Sequence, residues 1–130
     1  MAQVLWDLNS NGNPIVASFN QVAAGAIATT PFFVAPFACT VTGAYCRYNV
    51  AAGATSTVQI YQDTAGTAAG AGTALLTTAF NMNTTTATTI TGAFTSTPAL
   101  AAGDQLTVKV ASGSATGSAD VVITVTLART

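Results

Sequence analysis

The chain has 130 residues, enough for one domain that buries roughly two-thirds of its unfolded surface. Half of those residues are hydrophobic and only 5% are charged, with three basic side chains against four acidic ones and no histidine. Three cations leave no electrostatic footprint for nucleic acid, no apolar run is long enough for a membrane-spanning helix, and the absence of His and Glu removes the usual general acids and bases.

"MAQVLWDLNSNG" has neither a basic start nor an apolar core, so no secretion signal is expected there. Asp7, Asn9 and Asn11 with Gly12 imitate the opening of an EF-hand loop. A calcium site of that kind closes with a bidentate Glu at its twelfth position; here that position is Ser18, and Pro14 and Ile15 interrupt the ligand run. Asn11-Gly12 instead reads as a tight turn, since both residues tolerate positive φ. Strand-like "QVLW" and "PIVASF" then form a hairpin around it.

A weaker strand is expected at 26–30, followed by "PFFVAPF" (31–37). Its two prolines hold the segment extended, and Phe32, Phe33 and Phe37 are hard to hide together at one sandwich edge. One or two of these rings are candidates to meet a neighbouring subunit.

"CTVTGAYC" (39–46) reads as strand whose apolar phase slips at Gly43, the mark of a bulge or bend. If that stretch is extended, Cys39 and Cys46 stand on the order of 20 Å apart, too far for a disulfide. Two free, buried thiols are expected, as suits a reducing cytoplasm. With no His and no second cysteine pair, a metal site is not expected. In "YCRYNV" (45–50), Cys46, Tyr48 and Val50 alternate against Tyr45, Arg47 and Asn49.

Val58 and Ile60 mark a strand at 57–62, and "DTAGTAAGAG" (63–72) after it has no packing side chains and reads as a mobile loop. Weaker strands are expected at 73–80 and 86–91. "AAGD" (101–104) is a turn leading into "QLTVKV" (105–110), with Leu106, Val108 and Val110 on one face. "SGSATGS" (112–118) turns the chain again, and "DVVITVTL" (120–127) puts Val121, Ile123, Val125 and Leu127 opposite Thr124 and Thr126. Eight or so short strands, each with one apolar face, predict an all-β fold: a single antiparallel β-sandwich over 31–130, with residues 1–30 as an N-terminal hairpin or arm.

No catalytic residue stands out. Four aspartates remain as acids, Asp104 and Asp120 have ordinary turn and strand explanations, and no serine or threonine has a partner to activate it. Trp6, Tyr45, Tyr48 and Tyr61 could form a sugar-stacking platform or simply pack on sheet faces.

"PFACTVTGAYCRYN", "STVQIYQD", "ALAAGDQLTVKVA" and "ADVVITVTL" together resemble the jelly-roll-like β-sandwich pattern of structural proteins of tailed-bacteriophage particles, over about residues 31 to 127. The resemblance implies a non-enzymatic virion protein without cofactors, most similar to a capsid decoration (cement) protein bound to the outer head surface. Its implied partners are the major capsid protein and further copies of itself, a trimer before a dimer, with assembly in the host cytoplasm. A tail- or head-fibre module that binds host-surface glycans would share the pattern. The loop "QDTAGTAAGAG" departs from relatives, which often carry charged and Asn-rich residues there, and residues 1–30 have no counterpart in the pattern. That segment is expected either to face the capsid or exchange between subunits, with Trp6 as anchor, or to add one or two edge strands. The candidate interface residues are Trp6, Phe32, Phe33 and Phe37.

Overall fold

The computed structural model describes residues 14–130, so the turn at Asn11-Gly12, the "QVLW" strand and Trp6 lie outside the described residues. Ten strands form among the described residues, in chain order: β1 (Ile15–Gln21), β2 (Thr30–Val34), β3 (Cys39–Arg47), β4 (Thr57–Asp63), β5 (Thr73–Ala74), β6 (Phe80–Asn81), β7 (Ile90–Thr91), β8 (Ala99–Leu100), β9 (Gln105–Ser112) and β10 (Val121–Arg129). No helix occurs among the described residues.

The pairings are nested. β1 pairs with β10, β2 with β9, β3 with β7 and β8, and β4 with β5 and β6, all antiparallel. A long antiparallel hairpin of this kind, rolled up so that β10 also meets β3 and β9 also meets β4, is the jelly-roll winding. It yields two sheets, ordered β1-β10-β3-β7 and β2-β9-β4-β5. The expected all-β sandwich is the observed fold. Residues 15–21, grouped by the sequence with the N-terminal arm, pair along their whole length with β10 and, among the described residues, form an edge strand of the first sheet.

Alternation decides which side chains enter the core. Val121, Ile123, Val125 and Leu127 of β10 are buried while Val122, Thr124 and Thr126 between them face outward. Opposite them lie Val58 and Ile60 of β4 and Leu106 and Val108 of β9. A core leucine or isoleucine in this layer is worth about 2–5 kcal/mol against alanine.

The phase slip in β3 is real and has a visible cause. Cys39 and Val41 are buried before it, and Ala44, Cys46 and Tyr48 after it. Thr126 pairs with Gly43 but Leu127 pairs with Val41, so Thr42 is the extra residue of a bulge. Both cysteines are free and buried on this one strand. Burial raises the Cys46 thiol to about 12, and burial followed by the neighbouring Asp104 charge raises that of Cys39. Neither thiol is ionised at neutral pH, so neither is nucleophilic. At about pH 8, folded protein is expected to leave a thiol reagent unreacted for hours and to yield two thiols once unfolded. Rapid labelling of native protein would show that the β3–β10 region opens readily.

Two boundaries differ from expectation. The second strand is 30–34 rather than 26–30, because Pro31 is tolerated on an edge strand beside a bulge, between Pro31 and Phe33. Strands expected over 73–80 and 86–91 shrink to two-residue pairings at 73–74, 80–81 and 90–91. The chain between is held by isolated hydrogen bonds, such as Thr77 N–H to Ala93 O at 2.8 Å and Met82 N–H to Ser56 O at 3.0 Å.

The loop 64–72 has no packing side chains, yet it is tied down by polar contacts. Asp63, 1% exposed at the end of β4, accepts from Gly70 N–H at 2.9 Å, Gly72 N–H at 2.9 Å, the Thr107 hydroxyl at 2.6 Å and the Gln105 amide at 3.3 Å. Lys109 donates to Gly70 O at 2.9 Å and lies over the Tyr61 ring. Asp104 closes the "AAGD" turn in the same manner, accepting from Ala101 N–H at 3.0 Å and the Gln62 amide at 2.9 Å.

Candidate functional site

The four aspartates were the chain's only carboxylate candidates for chemistry, and Asp7 lies outside the described residues. Asp63 and Asp104 are occupied in holding backbone and amide groups. Burial alone would push the Asp63 carboxyl up, but hydrogen bonds from Thr107, Gly70, Gly72 and Gln105 outweigh it and hold the group below the usual carboxylate range. A carboxylate so stabilised is a poor base. No group of three or more potential metal ligands clusters among the described residues.

The aromatic candidates separate. Tyr48 is fully buried: its hydroxyl donates to Asn81 O at 3.0 Å and accepts from Thr84 N–H at 3.1 Å. It is a core tyrosine and cannot stack on a ligand, which corrects its inclusion in a surface platform; the alternation Cys46–Tyr48 already assigned it to the inner face. Tyr61 is half-buried beneath Lys109, 5.5 Å from its ring centre. Tyr45 alone of the three stands out on a sheet face, 37% exposed.

Phe32, Phe33 and Phe37 are each partly buried and pack against the home core. Arg129 lies over Phe37 at 4.3 Å from the ring centre, a cation–π contact. Around the rings, Pro31, Val34 and Pro36 are exposed, Val34 to 58%. The segment therefore offers a neighbour an aliphatic ridge backed by half-sunken rings. β1 flanks it, because β1 and β2 touch across the open side of the sandwich. Ile15–Gln21 contains no charge and no proline, and among the described residues no strand pairs with its outer edge. An uncharged edge of that length invites pairing with another chain.

The outer face of the first sheet carries a depression of about 300 Å³ lined by Tyr45, Arg47, Asn49, Thr89, Asp120, Val122 and Thr124. Strand register places the lining: Tyr45 sits directly opposite Thr124 and Arg47 opposite Val122. Asp120, just before β10, adopts φ 51°, a left-handed conformation that aspartate visits more readily than most residues. A second depression, lined by Gln62, 73–75 and 95–99, has no charged or aromatic side chain.

No protein-family model matches the chain, and no curated protein matches it. Among solved structures it is similar to a chain in the cyanophage Pam1 capsid asymmetric unit, with a TM-score of 0.57 and 18% sequence identity. The match covers 92% of this chain and 86% of that one. At that identity the likeness is one of fold.

Proposed function

We propose that this chain is a non-enzymatic structural protein of a tailed-phage particle, bound to the outer head surface as a decoration (cement) protein. The observation that carries the reading is the near end-to-end fold match with a chain of a phage capsid asymmetric unit. A chain with only 5% charged residues supports it, since its surface repels copies and partners weakly. Catalysis has no place in this role: the chain lacks His and Glu, and two of its aspartates are committed to holding loops.

In this reading the major capsid protein is the partner and the protein works as a homo-oligomer, a trimer before a dimer. The ridge Pro31–Val34–Pro36, with Phe32, Phe33 and Phe37 behind it, forms the seam between copies or with the coat. Trp6 belongs to the same proposed contact. Assembly takes place in the host cytoplasm. By binding only the assembled shell, the protein stabilises it by mass action, about 2.7 kcal/mol per site at a hundredfold excess over Kd.

Attachment should depend weakly on salt, because few ion pairs can form across the contact. Particles that carry the protein are expected to keep it through a wash at about 0.5 M NaCl, where surface ion pairs are largely screened. Quantitative release into the wash would sink the mechanism of apolar and backbone contact.

A further inference from the structure

Charge is so scarce in this chain that the position of each charged side chain is informative. Among the described residues Asp63 and Asp104 hold loops, Lys109 binds Gly70 O and covers Tyr61, and Arg129 covers Phe37. Arg47 and Asp120 are left. Neither side chain has a hydrogen-bonding or ionic partner among the described residues, both are exposed, and both line the depression on the outer face of the first sheet.

The same depression contains the chain's exposed tyrosine, and the way that ring is held matters. A Cβ placed on Gly43 would lie 2.8 Å from the Tyr45 hydroxyl oxygen and 3.0 Å from its Cε2. The ring is thus laid down over the Gly43 backbone, in space that only glycine leaves open. Thr126 Oγ1, at 2.8 Å from the same point, closes the other side. An aromatic ring lying along a sheet shows one flat face to solvent. Beside it stand a fixed fork of donors (Arg47), an acceptor pair (Asp120), an amide that does both (Asn49) and two threonine hydroxyls (Thr89 and Thr124).

We propose that this depression is a carbohydrate-binding site that takes one or two pyranose units of a bacterial surface polysaccharide. The apolar C–H face of the sugar rests on Tyr45. Its hydroxyl groups donate to Asp120 and accept from Arg47 and Asn49. A pyranose presents one apolar face and a rim of groups that both donate and accept, so it needs acceptors and donors around a flat ring. A peptide or coat-protein contact would call for an apolar centre with its charges paired. The volume fits a small ligand at the lower end of such pockets. The site belongs to the domain itself and does not depend on where in a particle the domain sits, so it can stand or fall apart from the decoration reading.

The test uses the full-length protein on a printed array of bacterial surface polysaccharides, followed by calorimetric titration with the bound polysaccharide. Binding is expected, with Tyr45→Ala weakening it about tenfold or more and Arg47→Gln about fivefold or more, while Tyr61→Ala leaves it unchanged. Gly43→Ala, which must displace the Tyr45 ring or Thr126, is expected to weaken it as well. Arg47 is exposed and has no partner to lose, so that variant is expected to fold even if a change at Tyr45 or Gly43 perturbs the sheet. The proposal is overturned if no polysaccharide binds more tightly than about 1 mM. It is equally overturned if binding survives both Tyr45→Ala and Arg47→Gln. Loss of particle attachment in these variants, with no sugar bound by the parent protein, would assign the face to a protein contact instead.

Discussion

Asp63→Ala is expected to destabilise the domain by about 3 kcal/mol or more, the largest effect of any single change outside the apolar core. The carboxylate is 1% exposed and takes four hydrogen bonds, two of them from backbone N–H groups of Gly70 and Gly72. Alanine would leave those donors and the Thr107 hydroxyl without an acceptor beneath the loop. The effect has a pH signature. The folded-state carboxyl is held below its ordinary range, with burial opposing and the hydrogen bonds prevailing. Its contribution is therefore complete above the unfolded value of about 3.9 and is lost as pH falls from there through the lower folded value. Urea unfolding at neutral and strongly acid pH checks this: the parent should lose stability on acidification, and Asp63→Asn should lose less. Equal acid sensitivity in both proteins would mean that Asp63 does not carry the linkage.

Gly72→Ala is expected to cost about 3 kcal/mol, through geometry rather than electrostatics. A Cβ there would lie 1.9 Å from the carbonyl oxygen of Gln62 and 2.9 Å from the Asp63 Cα. Neither is a flexible side-chain tip; both belong to β4, which pairs at that point with β5. The loop must lift, and the Asp63 bonds go with it. Gly25→Ala provides the contrast, with open space around it and no positive φ, and should be neutral or stabilising by about 0.4–1 kcal/mol. Thermal melts of the two variants would show whether the loop is seated as described: a Gly72→Ala melting temperature equal to the parent's would contradict it.

These two residues also mark where the sequence was legible and where it was not. Long strands announce themselves by period. β10 alternates Val121, Ile123, Val125 and Leu127 against Thr124 and Thr126, and the slip at Gly43 foretold the bulge at Thr42. The region 64–99 does not repeat at any period, because isolated backbone hydrogen bonds and polar side chains hold it. Gln59 is an example: its side-chain amide donates to Leu76 O and accepts from Leu76 N–H, each at 3.0 Å. Nothing in "TVQIYQD" distinguishes that glutamine from a surface one. Asp63 could have been suspected, since an acid at a strand end before a glycine-rich loop is well placed to cap backbone N–H groups.

The candidate site was half visible. Alternation put Tyr45 and Arg47 on the outer face and Tyr48 on the inner. Asp120 reaches the same depression only because β10 lies beside β3, a pairing between segments more than seventy residues apart in the chain. Val50 shows the limit of alternation: placed with Cys46 and Tyr48, it is 47% exposed, because β3 ends at Arg47 and only an isolated bridge to Ala119 follows.

The most direct measurement is antibody–gold labelling of intact, negatively stained particles from cells that produce this protein together with its neighbouring genes. Gold distributed over the heads is the predicted result. Gold confined to tails, or particles that carry no label while the protein stays in the soluble fraction, would contradict a place on the head surface.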